Sequence, residues 1–168
     1  MDTPEWVLLL SFWLHMLATV GWVGGQAALV LLIRPAANRK LGVEDYADFL
    51  KTASRQLNSL AWVSLALLTV TGLVQMSANS NYGGFLAFDN KWSQAMLLKH
   101  LTFAAIIAIN AYLSMSVTPA LQRAQLKRLR GIEQTEEQKL QRREIQLVSL
   151  NLFLGIIVLA FTAFARIA

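Results

Sequence analysis

Four long stretches of this chain carry almost no charge, and that leaves a polypeptide very few ways to fold. Trp6 to Ile33, Leu57 to Met76 and Ile145 to Ala165 contain no Asp, Glu, Lys or Arg, and Trp92 to Val117 has Lys99 as its one charge. Each reaches the ~20 apolar residues that cross a bilayer as a helix. Lipid cannot satisfy free backbone N–H and C=O groups, so each stretch must close its hydrogen bonds internally as a helix. With 55% hydrophobic residues in 168, a soluble core of this size could not hide so much apolar surface, and lipid must cover it. The expected fold is all-α: an integral membrane four-helix bundle. It forms one transmembrane domain over residues 1–168, with helices at about 6–33, 57–76, 92–117 and 145–165.

The basic residues fall almost entirely between alternate spans. Arg34, Arg39, Lys40, Lys51 and Arg55 follow the first span, and Arg123, Lys127, Arg128, Arg130, Lys139, Arg142 and Arg143 follow the third. Elsewhere only Lys91, Lys99 and Arg166 are basic. The positive-inside rule then puts both basic loops in the cytoplasm and both chain ends outside, in a multi-pass protein of the bacterial plasma membrane. The loops are expected to be helical extensions, about 34–56 and 118–144. One helix should stop at Gly131, and another should restart at the capping box of Thr135 to Gln138. The outer loop, with Asn79, Asn81, Gly83, Gly84, Asp89 and Asn90, reads as a turn-rich cap. The sequence shows no internal repeat.

Composition excludes several functions. There is no cysteine, so disulfides, thiolate zinc sites, iron–sulfur clusters and thiol nucleophiles are all ruled out. The net charge of +5 reflects the two basic loops and membrane lipid, not nucleic acid. The first apolar run opens on Asp2 and Glu5, lacks a basic leader and is too long for a signal-peptide core, so no cleavable signal is expected.

His15 and His100 are the only histidines, and both lie inside expected spans, where ionisable groups mark functional sites. The first and third spans run in the same direction. His15 lies nine residues after Trp6 and His100 eight after Trp92. At a rise of ~1.5 Å per residue the two rings sit at nearly one depth, ~12–14 Å below the tryptophan belt. Ser11, His15, Thr19, Trp22 and Gln26 make one polar stripe on the first helix, expected to face the bundle interior. Beside His100, Phe103, Ala104, Ile107, Ala108 and Ala111 are expected to leave room for a ligand. Gly21 and Gly25 form a small-residue pair suited to close helix contact. Two neutral imidazoles across a bundle can supply both axial positions of one haem iron. The haem would be b-type, since covalent attachment needs cysteine. Its propionates would find Lys99, Lys91, Asn90 and Arg166 near the outer surface. The expected cofactor site is therefore His15 and His100 on the metal, with Lys99, Trp22, Thr19, Ser11, Phe103 and Ala104 around it.

The run His15-Met16-Leu17-Ala18-Thr19-Val20-Gly21-Trp22-Val23-Gly24-Gly25 resembles the first helix of the copper resistance protein D family, which opens with a histidine followed by Trp-x-Gly-Gly. Thr71-Gly72-Leu73, and Trp92 with Leu97-Leu98-Lys99, agree with it, so the resemblance covers about Leu14 to Leu121. The chain is also similar to HemJ-type protoporphyrinogen oxidases, four-helix membrane proteins thought to bind haem b through a first-helix histidine, which matches His15. Asn110 stands in the stretch where those chains carry a further histidine, which favours a plain bis-histidine cytochrome.

Three functions remain open. The first is a cytochrome b transferring electrons with quinol or other membrane redox proteins, as a single chain or a homo-oligomer and more an electron-transfer subunit than a stand-alone enzyme. The second is copper uptake through His15, Met16, Met96 and His100, imidazole and thioether donors suited to Cu(I). The third is tetrapyrrole oxidation.

Overall fold

A computed structural model describes residues 3–40, 43–84, 90–129 and 135–167. Every regular element among them is helical. Helix α1 (Glu5–Ala27) runs through a π-helical segment, Ala28–Ile33, into α2 (Arg34–Lys40). Helix α3 covers Val43–Ser77, α4 covers Lys91–Tyr112, a second π segment covers Leu113–Val117, α5 covers Thr118–Leu129 and α6 covers Thr135–Ile167. Four of the resulting rods are long and apolar enough to cross a membrane, as expected, and only 17–28% of each most apolar stretch is buried inside the protein. Leu9, Met16, Val20, Leu31, Leu101, Met115 and Phe153 point outward, and lipid is the solvent that accepts them.

The charged segments beyond the spans are helical, as α2, the start of α3, α5 and the start of α6. The expected stop at Gly131 lies outside the described residues. Helix α6 starts at Thr135, and Gln141 Nε2 donates to Glu137 Oε1 (3.0 Å) in its second turn. At the opposite end, Asn90 caps α4, its Oδ1 accepting from the Ser93 N–H at 2.7 Å. Trp6 is exposed, as an interfacial anchor should be, but Trp92 is 7% exposed. The reason is helical period: Trp92 falls on the same side of α4 as Ala95, Ile106 and Asn110, which all face inward.

Helix α1 packs along α3, α4 packs along α6, and α1 also touches α6. Between α3 and the second π segment, Trp62 Nε1 donates to Ser114 Oγ (3.1 Å), which donates to Asn58 Oδ1 (2.7 Å). The spans therefore neighbour one another in ring order, with the first and third on a diagonal. Two apolar layers fill the middle. One joins Trp22, Ala61, Leu65 and Ile106, and the other joins Leu29, Leu113, Val117 and Val148. At the basic end an ion pair ties the end of the first rod to the start of the fourth, Arg34 Nη2 to Glu144 Oε2 at 2.7 Å, with side chains only 8% and 12% exposed.

The two π segments share a cause. Each ends two residues before a proline, Pro35 or Pro119. Proline lacks an N–H and its ring crowds the carbonyl four residues back, here Leu31 and Met115, so the ladder loosens by one residue. His15 precedes its π segment by thirteen residues (15 to 28), and His100 precedes its own by thirteen (100 to 113). Although the sequence shows no repeat, the first and third spans carry the same order of landmarks.

Candidate functional site

The polar stripe on α1 does not act as one surface. Its upper part, Ser11 and His15, is taken by α3. The His15 Nδ1 and Thr71 Oγ1 lie 2.7 Å apart, and Thr71 Oγ1 donates its own proton to Leu67 O at 2.6 Å. With the hydroxyl proton committed, the threonine oxygen accepts and His15 Nδ1 carries the hydrogen. In the neutral ring Nε2 then bears a lone pair, the form in which histidine binds metal. Gly72 lies beside the ring, where a Cβ would sit in ordinary contact 3.6 Å from His15 Cε1. Ser11 Oγ donates to Thr71 O (3.1 Å), and Gln75 Nε2 donates to Ser11 O (3.1 Å) and Ser11 Oγ (3.3 Å). Thr19 Oγ1 donates to His15 O at 2.8 Å, which fixes the helix turn below the ring.

The lower stripe serves the core. Trp22 is buried against α6, so closely that a Cβ on Gly155 would lie 2.6 Å from its Cζ3. Gln26 lines a small cavity with Trp22, Gly21, Gly25, Leu29, Leu57 and Ala61. Gly21 and Gly25 face Leu57, Leu60 and Ser64 of α3, the close helix contact expected of a small-residue pair.

On α4 the inward line runs through Trp92, Ala95, Phe103, Ile106 and Asn110, and Lys99 falls on it at spacing four from Ala95 and from Phe103. His100 is one residue on, turned by ~100°. Lys99 stands within electrostatic reach of His15 across the diagonal. His100 is partly buried and its Nδ1 contacts Met96 O at 2.6 Å. A carbonyl only accepts, so this ring too has Nδ1 as its donor nitrogen. Phe103 packs on the Trp22 layer, whereas Ala104 and Ala108 are exposed. The small residues expected to open a space beside His100 therefore lie on its outward side, because one turn on from His100 leads away from the line of Ile106 and Asn110.

The structure thus gathers His15, Ser11 and Thr19 with Thr71, Gly72 and Gln75, and sets Lys99 opposite them. The α3 residues were missed as partners in the sequence. Their signal was the spacing of Ser64, Thr71 and Gln75, seven and four apart on one helix face. Of the thioethers considered as copper donors, Met16 is 67% exposed and turned away from His15. Among the described residues no three His, Cys, Asp or Glu side chains group as a metal site.

The family model described as copper resistance protein D matches residues 51–165. That stretch takes in the later three spans, with Thr71, Gly72, Lys99 and His100, and leaves the His15 motif before it. No curated protein and no solved structure gives a match.

Proposed function

The chain belongs to the copper resistance protein D family of membrane proteins, and from that premise we propose that it binds a metal centre at the histidine end of the bundle, as a b-type haem held by His15 and His100. The observation that carries this reading is the pair of Nδ1 contacts, 2.7 Å to Thr71 Oγ1 and 2.6 Å to Met96 O. The first leaves His15 Nε2 as the nitrogen that would coordinate, and outer-shell oxygens of this kind orient imidazoles and raise their basicity. His15 and His100 would be the protein donors to the haem iron. When bound, the haem would supply one-electron transfer, exchanging with quinol or other membrane redox proteins. Lys99 supports the choice, because an ammonium beside the site attracts the propionates of a haem. It repels a bare cation at the same place.

The family match favours a second reading, copper handling, in which Cu(I) is the cargo and His15 and His100 are its imidazole donors. Met16 has no part in it, being turned outward. A reduced-minus-oxidised spectrum of the purified protein, taken with its metal content, separates the two. Haem b gives a low-spin spectrum and a pigment extractable into acidified organic solvent. Colourless protein that retains copper would overturn the haem reading in favour of the second.

We further propose that the basic end is cytoplasmic, on the asymmetry of its Lys and Arg residues. Ser80→Cys should react with an impermeant thiol reagent in intact cells, and Gln134→Cys should not. The opposite pattern would invert the topology.

A further inference from the structure

Six buried side-chain polar atoms lack a hydrogen-bond partner among the described residues: Trp22 Nε1, Gln26 Oε1, Arg34 Nε, Asn110 Nδ2, and Asn151 Nδ2 and Oδ1. Apart from the Arg34 nitrogen they fall at one level of the bundle. In α1, Gln26 lies between Trp22 of the first apolar layer and Leu29 of the second. In the third span, Asn110 lies between Ile106 and Leu113, and in the fourth, Asn151 lies between Val148 and Leu154 of the same two layers. Asn151 is 0% exposed, Asn110 3% and Trp22 4%. Three spans thus send amides, and one an indole N–H, into a level with apolar side chains above and below.

Amides buried in hydrocarbon without partners are strongly disfavoured, and the usual remedy is internal water making two to four hydrogen bonds. Space exists for it. The cavity lined by Trp22 and Gln26 measures about 20 Å³, and a buried water needs roughly 10–15 Å³ by that measure. Trp22 and Gln26 are four residues apart on one helix face, so a single water there can accept from the indole N–H and donate to Gln26 Oε1. Asn110 and Asn151 stand outside that cavity's lining, on α4 and α6, and present two donors and an acceptor of their own at the same level.

We propose that the middle of this bundle is a hydrated amide layer, in which Trp22, Gln26, Asn110 and Asn151 bind internal water sealed between two apolar layers. The seal towards the basic end is made of Leu29, Leu113, Val117 and Val148, and three of these belong to the π segments. On that side the layer is therefore bounded by the two least regular turns of the spans. The layer lies below the histidine site and does not depend on what binds there.

The test is magnetisation transfer from water in nitrogen-15-labelled protein in lipid, with Trp22→Phe and Asn151→Leu used to assign the signals. The Trp22 indole and Asn151 amide protons should show water cross-peaks while neighbouring Ile106 and Leu65 backbone amides do not. A melting measurement supplies the second arm. Asn151→Leu should lower the melting temperature by several degrees if it strips partners from bound water, and Gln26→Met should do so too. If these amides are dry, both substitutions remove unsatisfied groups and the melting temperature should rise. Absence of water cross-peaks from both side chains, or a structure showing the amides bonded directly to each other, would also overturn the proposal.

Discussion

The two ends of the bundle join distant helices with different chemistry. At the histidine end Ser11, His15, Thr71 and Gln75 are linked by uncharged hydrogen bonds of 2.7 to 3.3 Å between adjacent spans. At the basic end Arg34 and Glu144 form a charged contact of 2.7 Å between the first and fourth rods. The neutral cluster holds a ring in one orientation and leaves one of its nitrogens able to bind. The ion pair instead uses both of its charges on each other. A neutral network can present a ligand, whereas a closed ion pair can mainly fix geometry.

That contrast is broken most directly by His15→Ala. It should abolish haem or metal retention entirely, while the helical circular dichroism and gel-filtration position stay those of the parent. A variant that fails to fold would instead assign His15 to the scaffold. Next in size is Glu144→Ala, which leaves the Arg34 guanidinium buried without its carboxylate and should cost about 3 kcal/mol of stability. Reversible unfolding in mixed micelles checks this. The bound centre per folded molecule should be unchanged, and Arg34→Met in the same chain should restore much of the loss. Smallest is Thr71→Val, which keeps the shape of the side chain but removes the acceptor of His15 Nδ1–H. It should weaken binding by ~10–100-fold, the usual cost of an outer-shell partner, and Thr71→Ser should recover it. Equal titrations for Val and Ser would remove Thr71 from the site.

Much of this was legible beforehand because it is local to one helix. The four spans follow from runs without charge, and the helical loops from capping and composition. That both histidines lie inside spans follows from the same runs. Gly21 and Gly25 were readable as a contact because small residues show where backbones can approach. Partners between helices were not legible in the same way. Ser11 and Thr71 are sixty residues apart and Arg34 and Glu144 one hundred and ten, and no helical period links them. Trp92 is the plainest example. A tryptophan at the start of a span reads as an interfacial anchor, yet the rotation of α4 turns it inward.

By itself, then, the sequence determined that the chain folds as four membrane-length helices, where its charges gather, and that its only imidazoles both lie inside spans. All of these are sums along a single segment, fixed by hydropathy and a rise of ~1.5 Å per residue. Tertiary structure alone decided how each rod turns about its axis. Trp22 seated on Gly155, and His15 bonded to Thr71, set that rotation through packing between rods. The same packing places Lys99 on the inward line, turns Met16 and Ala104 outward, and makes Thr71 the residue that sets which nitrogen of His15 carries the hydrogen.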